Sequence, residues 1–133
     1  MTNVILQPAA SPVARRNYRK TVENPVPLSR FKDHLDNDLY EKVAEVIATY
    51  SVWSVVSYVW GIRPSSKSQW DKIHRGDKVM FAWENKYRSL STLIGKINSH
   101  SLATDLWGVN DPEDTWEYIY FFGTPVDIDI PCT

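Results

Sequence analysis

The run Thr115-Trp-Glu-Tyr-Ile-Tyr-Phe-Phe122 constrains the fold more than any other stretch of the chain. Its aromatic and β-branched residues lose rotamer freedom in a helix and fit a pleated strand well. Successive strand side chains point to opposite faces. Trp116, Tyr118, Tyr120 and Phe122 are therefore expected on one face, with Glu117, Ile119 and Phe121 on the other.

Other segments read the same way. Ser51 to Trp60 is dense in Val, Trp and Tyr and reads as a buried strand, broken by Gly61-Ile-Arg-Pro64. Lys78 to Trp83 is a second strand, Glu84-Asn85-Lys86 a hairpin turn, and Tyr87 to Asn98 a third, longer strand. Gly95 inside that strand points to a bulge or to close approach by another backbone. At the C-terminus Val126, Ile128 and Ile130 alternate with Asp127 and Asp129, the pattern of a half-exposed strand.

Helices fall between the strands. Asp36 or Asn37 can cap a helix through Thr49, with Leu39, Val43, Val46 and Ile47 on one face. Ser65 or Ser66 can start a short helix that carries Trp70 and Ile73 inward, ended by Gly76-Asp77. His100 to Trp107 reads as one or two turns stopped by Gly108, with a surface loop over Asn110 to Asp114. The expected class is α+β: a small curled sheet or barrel of about five strands with short flanking helices.

Residues 1–30 show no sustained periodicity and contain Pro8, Pro12, Pro25 and Pro27. They are expected to form a disordered tail, mobile and dispensable for folding, ahead of a domain over residues 36–133. The tail is basic: residues 1–35 hold Arg15, Arg16, Arg19, Lys20, Arg30 and Lys32 against Glu23 and Asp33, in a chain of net charge −1.

A chain of 133 residues is one domain in size. Its single cysteine, Cys132, excludes an internal disulfide and fits a reducing compartment. Neither a signal peptide nor a membrane-length apolar run is present, so a cytoplasmic location is expected.

Residues suited to catalysis do not cluster in sequence. His34, His74 and His100 lack metal-ligand spacing, the glycines are isolated, and Cys132 sits at the chain end. Asp77 reads as a turn cap before it reads as a catalytic carboxylate. A binding module without cofactor or metal is expected rather than an enzyme. The six tryptophans all lie between Trp53 and Trp116, more than a core alone needs.

The stretch from Trp53 to Ile130 resembles the PUA-like superfamily and, within it, the EVE and YTH domains. The resemblance rests on Val59-Trp60-Gly61 at a strand end, Ser68-Gln-Trp-Asp-Lys-Ile-His-Arg-Gly-Asp-Lys-Val-Met-Phe81, Leu93-Ile-Gly-Lys-Ile97, Leu102-Ala-Thr-Asp-Leu-Trp-Gly108, and Thr115-Trp-Glu-Tyr-Ile-Tyr-Phe121. It covers about 80 of 133 residues and leaves 1–50 without a counterpart. It implies a β-barrel that binds nucleic acid and draws a modified base into an aromatic cage, as in specificity domains of McrB-type modification-dependent restriction systems.

In that frame Trp60 occupies the place of the first YTH cage tryptophan, and Trp83 and Trp107 are the other cage candidates. Trp53 and Trp70 read as core, and Trp116 fits either role. Ser54, Ser57 and Asn98 are candidates for reading the base edge. Arg63, Lys67, Lys72, Lys86, Arg88 and Lys96 are candidates for holding phosphates. The implied partner is nucleic acid, methylated DNA ahead of RNA, with a fused or associated nuclease or NTPase. The alternatives are an RNA-binding or ASCH-type ribonuclease and a peptide-binding module. With Trp60 at a loop mouth and Trp53 mid-strand, Trp60→Ala is expected to weaken binding more than folding, and Trp53→Ala the reverse.

Overall fold

The structure, a computed structural model, describes residues 3–50, 56–109 and 114–132. Trp53, Ser54 and most of the Asn110–Asp114 loop lie outside the described residues. Among the described residues seven strands form the sheet, two more than expected: β1 (Val4–Pro8), β2 (Val26–Pro27), β3 (Val56–Ile62), β4 (Lys78–Trp83), β5 (Lys86–Asn98), β6 (Tyr118–Phe122) and β7 (Val126–Pro131). The α-helices described are α1 (Pro12–Thr21), α2 (Leu28–Lys32), α3 (Asn37–Tyr50), α4 (Lys67–Asp71) and α5 (His100–Trp107).

The strand order is β1-β4-β5-β6-β3-β2, with β7 added to β5. β5 organises the sheet. One edge pairs with β4, while the other pairs first with β7 and then, from Leu93 onward, with β6. The change of partner coincides with a register shift between Leu93 and Gly95. A Cβ on Gly95 would stand 2.6 Å from the Phe121 ring, so the glycine serves both the bulge and the close approach. The β4–β5 hairpin turns on Glu84 and Asn85, both at positive φ (54° and 60°), as a two-residue turn matched to strand twist requires.

Each face of the sheet carries a hydrophobic core. Val59, Ile94, Ile97, Ile119 and Phe121 pack with residues of α2, α3 and α5, among them Phe31, Ile47, Leu102 and Trp107. Trp60, Ile62, Phe81, Leu93, Tyr120 and Phe122 pack on the opposite side with Tyr18 and Val22 from the α1 segment and with Ile73. The alternation of β6 thus divides its side chains between two cores. The cap expected at α3 is present, Asp36 Oδ1 accepting from Leu39 N (2.8 Å), and α5 is capped by Ser99, whose Oγ accepts from Leu102 N (3.1 Å). Asp77 is buried, and its carboxylate accepts from the backbone N–H groups of Asn3 (3.2 Å) and His74 (2.9 Å), a turn-capping role.

The largest departure from expectation is residues 3–30. They form strands and helices packed on the sheet instead of a disordered tail, and the described folded unit reaches back well before residue 36. β1 pairs in parallel with β4 from Val4↔Lys78 to Pro8↔Ala82. Ser11 caps α1, accepting from Ala14 N (3.1 Å), and Pro12 takes the first helical turn. Tyr18 hydrogen-bonds Ser89 Oγ (2.7 Å), and Thr21 Oγ1 donates to the Val59 carbonyl (2.5 Å). Two of the prolines therefore mark a strand end and a helix start, positions where a missing N–H costs little.

Three smaller corrections follow from packing. Gly61 does not break β3, which continues to Ile62. β6 begins only at Tyr118, because Thr115 Oγ1 donates to the Gly108 carbonyl (2.7 Å) and turns the chain; Trp116 accordingly joins the α2/α3/α5 core rather than the Tyr118 face. β7 is more exposed than half, with Val126 62% and Ile130 49% accessible. Among the described residues no helix is long and apolar enough to cross a membrane.

Candidate nucleic-acid interface

β1 and β3 flank a pocket of about 420 Å³, within the size range of small-molecule and base sites. Gln7 and Pro8 at the end of β1, and Ser11, Val13, Ala14 and Asn17 on α1, form one wall. The other wall comes from β3 and the turn after it: Trp60, Gly61, Ile62 and Arg63, then Ser65, Ser66 and Gln69. Trp116 completes the lining.

Local sequence explains each wall. The Ser11-Pro12 start directs the first two turns of α1 along the slot, and the spacing of Ala14, Asn17 and Tyr18 buries one side of the helix. On the other wall, Arg63-Pro64 leaves β3 and enters a 3-10 turn over Pro64–Ser66, which carries Ser65 and Ser66 to the rim.

Gly61 sets the depth of the site. A Cβ there would lie 2.5 Å from Trp107 Cζ3 and 2.5 Å from the Trp116 carbonyl oxygen. Only glycine lets these two tryptophans close up behind the strand. Trp107 is 2% exposed and donates from Nε1 to Thr21 Oγ1 (3.2 Å). Trp60 meets Phe81 edge-on at 5.0 Å and Tyr18 at 6.5 Å, and keeps 5% of its surface accessible; Trp116 keeps 9%. With so little of their surface accessible, neither ring presents an open face to the pocket.

Polar side chains make up half of the lining, and several have a fixed direction. Asn17 is buried, and its Oδ1 accepts from Arg16 Nη2 (3.2 Å). Its amide N–H pair makes no hydrogen bond among the described residues and is free to donate to a ligand. Gln7 donates to the Pro8 carbonyl (3.1 Å), which leaves its side-chain oxygen as an acceptor. Arg63 is anchored by Asp114 through Nε (3.1 Å) and a second, shorter bond from Nη2. Burial raises the Tyr18 pKa behind Trp60, partly offset by the Ser89 bond, and raises that of Tyr120 well above the ordinary tyrosine value. Among the described residues no three His, Cys, Asp or Glu side chains converge to hold a metal.

The tryptophans expected to form one cage are not brought together. Trp60 lines the pocket, Trp107 lies behind Gly61 in the α2/α3/α5 core, and Trp83 lies on the far side of Tyr18 (4.9 Å). Trp83 has the guanidinium of Arg15 over its ring at 4.1 Å and that of Arg88 at 5.4 Å. Of the edge-reading candidates, Ser57 is buried with Oγ near the Phe122 carbonyl (3.4 Å), and Asn98 is exposed at the end of β5; neither lines the pocket.

Of the phosphate candidates only Arg63 lines it. Lys67 pairs with Asp71 (2.9 Å), Lys86 with Asp129 (3.1 Å) and Arg88 with Glu84 (3.3 Å). Lys96 donates to the Trp70 carbonyl (2.8 Å) with its ammonium 4.4 Å above the Trp70 ring, which closes that core flank. Lys72 is exposed, away from the pocket lining.

Sequence reasoning missed Asn17, Gln7 and the Ser65/Ser66/Gln69 rim, and left Trp116 undecided. The signal for the α1 wall was present in Ser11-Pro12 followed by Ala14, Tyr18 and Val22 at four-residue intervals.

No protein-family model matches the sequence, and no curated protein matches it. Among solved structures, the N-terminal domain of Thermococcus gammatolerans McrB bound to m5C DNA is similar with a TM-score of 0.67, covering 96% of this chain and 76% of that one at 17% identity. The chain shares that domain's fold.

Proposed function

We propose that this domain binds DNA carrying a methylated base and seats that base in the pocket between α1 and β3. The observation that carries the reading is a pocket backed by Trp60 and Trp116 and rimmed by directional polar side chains, in a fold shared with a domain whose structure was solved on m5C DNA. A base inside a duplex is inaccessible to a recessed pocket, so seating requires that the nucleotide be swung out of the stack. The accessible parts of Trp60 and Trp116 and the side chains of Val13 and Ile62 would give the ring and its methyl group an apolar contact. The Asn17 amide would donate to an acceptor on the base edge, and the Gln7 oxygen would accept from an exocyclic amino group. The domain would then act as a reader without chemistry of its own, and a separate nuclease or NTPase would act on the DNA it selects.

Burying one methyl group contributes about 0.8 kcal/mol, roughly a fourfold preference. A close-fitting pocket adds to this by excluding water and rejecting misfit bases. Fluorescence anisotropy with a duplex containing one central 5-methylcytosine should therefore give at least ~4-fold tighter binding than the unmodified duplex. Equal affinity for the two would defeat the reading, as would tighter binding to an RNA of the same sequence.

A further inference from the structure

We propose that α1 is the element that grips the sugar–phosphate backbone beside the pocket, through Arg19 and Lys20 with Arg16 next to the wall. The inference rests on the DNA-binding reading and adds to it which surface holds the phosphates.

The two rims of the pocket differ in how their charges are spent. On the β3 side both cations have carboxylate partners: Arg63 with Asp114 and Lys67 with Asp71. A phosphate arriving there must compete with a carboxylate already in place. On the α1 side the helix has no acidic residue in its first turn and ends in Arg19 and Lys20. Among the described residues Arg15, Arg16, Arg19 and Lys20 take part in no ion pair.

Burial fixes which way these cations face. α1 buries Asn17, Tyr18 and Thr21 and leaves Arg16, Arg19 and Lys20 exposed. Arg16 is held in place, donating from Nη2 to the Trp107 carbonyl (3.0 Å) and to Asn17 Oδ1 (3.2 Å). It therefore joins the pocket wall to the cationic surface. Arg15 lies over Trp83 at 4.1 Å and extends the positive surface to the other flank. The pocket wall and the basic surface are adjacent sides of one helix, so a strand whose base enters the slot passes along α1. Unpaired, solvated cations suit phosphate oxygens, which release counterions as they bind.

The test uses the full chain and compares Arg19→Gln/Lys20→Gln with the charge-matched control Lys32→Gln/Lys42→Gln. The Arg19 and Lys20 side chains make no hydrogen bond or ion pair among the described residues, so the melting temperature should stay at the wild-type value. Affinity for methylated and unmodified duplexes is measured across a salt series. Each phosphate contact contributes about 0.9 to the slope of log affinity against log salt. The α1 variant should lose close to 2 from the slope magnitude and bind about tenfold or more weakly at 0.1 M salt, equally for both duplexes. The control should keep the wild-type slope. A wild-type slope in the α1 variant, or an equal loss in the control, overturns the role of α1 and leaves pocket recognition standing. Absence of salt-dependent DNA binding by the wild-type chain overturns both.

Discussion

Deletion of residues 1–24 is expected to leave no folded domain. The deletion removes β1, and with it five residue pairs along the β4 edge, together with the whole of α1. It also strips Ala9, Tyr18 and Val22 from the core that contains Trp60, Phe81 and Phe122. Tyr18 alone packs against Trp60, Phe81 and Trp83, and removing a buried aromatic costs about 3–5 kcal/mol. Loss of Thr21 leaves the indole N–H of Trp107 without its acceptor in a buried site, a further ~1–3 kcal/mol. Together with Val22, Ala9 and the strand pairing, the loss matches or exceeds the ~5–15 kcal/mol by which a domain is stable. Circular dichroism of the truncated chain should show no cooperative melt. A truncated chain that melts cooperatively near the wild-type temperature would show that the segment only decorates the sheet.

That segment is also where sequence and structure part most widely, and the reason is physical. β1 pairs with a strand more than seventy positions away, as the Asn3–Asp77 contact shows, so nothing near it in sequence reveals its partner. Its five residues are too few to show alternation, and the prolines around it read as breakers although Pro12 sits where helices accept proline. By contrast β4, the β4–β5 hairpin, α3 and α5 were legible, because their turn residues, caps and periodicity are local. The candidate site was half legible. Trp60 and Arg63 could be singled out from the strand end they occupy, but the opposite wall belongs to α1. That Trp107 is core could not be read either, since it depends on Gly61 allowing close approach from another element.

Replacing Trp60 with alanine should destabilise the fold by about 3–5 kcal/mol. This reverses the expectation that Trp60→Ala would weaken binding more than folding. β3 continues through Gly61 and Ile62, so Trp60 lies inside the strand, 5% exposed, between Phe81 and Tyr18. For a domain of this size the cost corresponds to a fall of roughly 10–20 °C in Tm. Trp60→Phe keeps a ring against Phe81 and should fall much less, so that DNA affinity can be measured on a folded variant. If Trp60→Ala melts within a degree or two of the wild type, its indole is not part of the core and the pocket wall is drawn wrongly.

Amide and indole chemical shifts of the isotope-labelled chain, followed as a duplex with one 5-methylcytosine is added, locate the base directly. A base seated between α1 and β3 should move the amides of Ala14, Asn17, Gly61, Ile62 and Ser66 and the indole signals of Trp60 and Trp116. The unmodified duplex should leave those signals nearly in place while still moving Arg19 and Lys20. If the pocket signals stay unchanged with the methylated duplex while those lining the groove between α3 and β5, around Val43, Arg75 and Lys96, shift instead, methylated-base recognition by this pocket is contradicted.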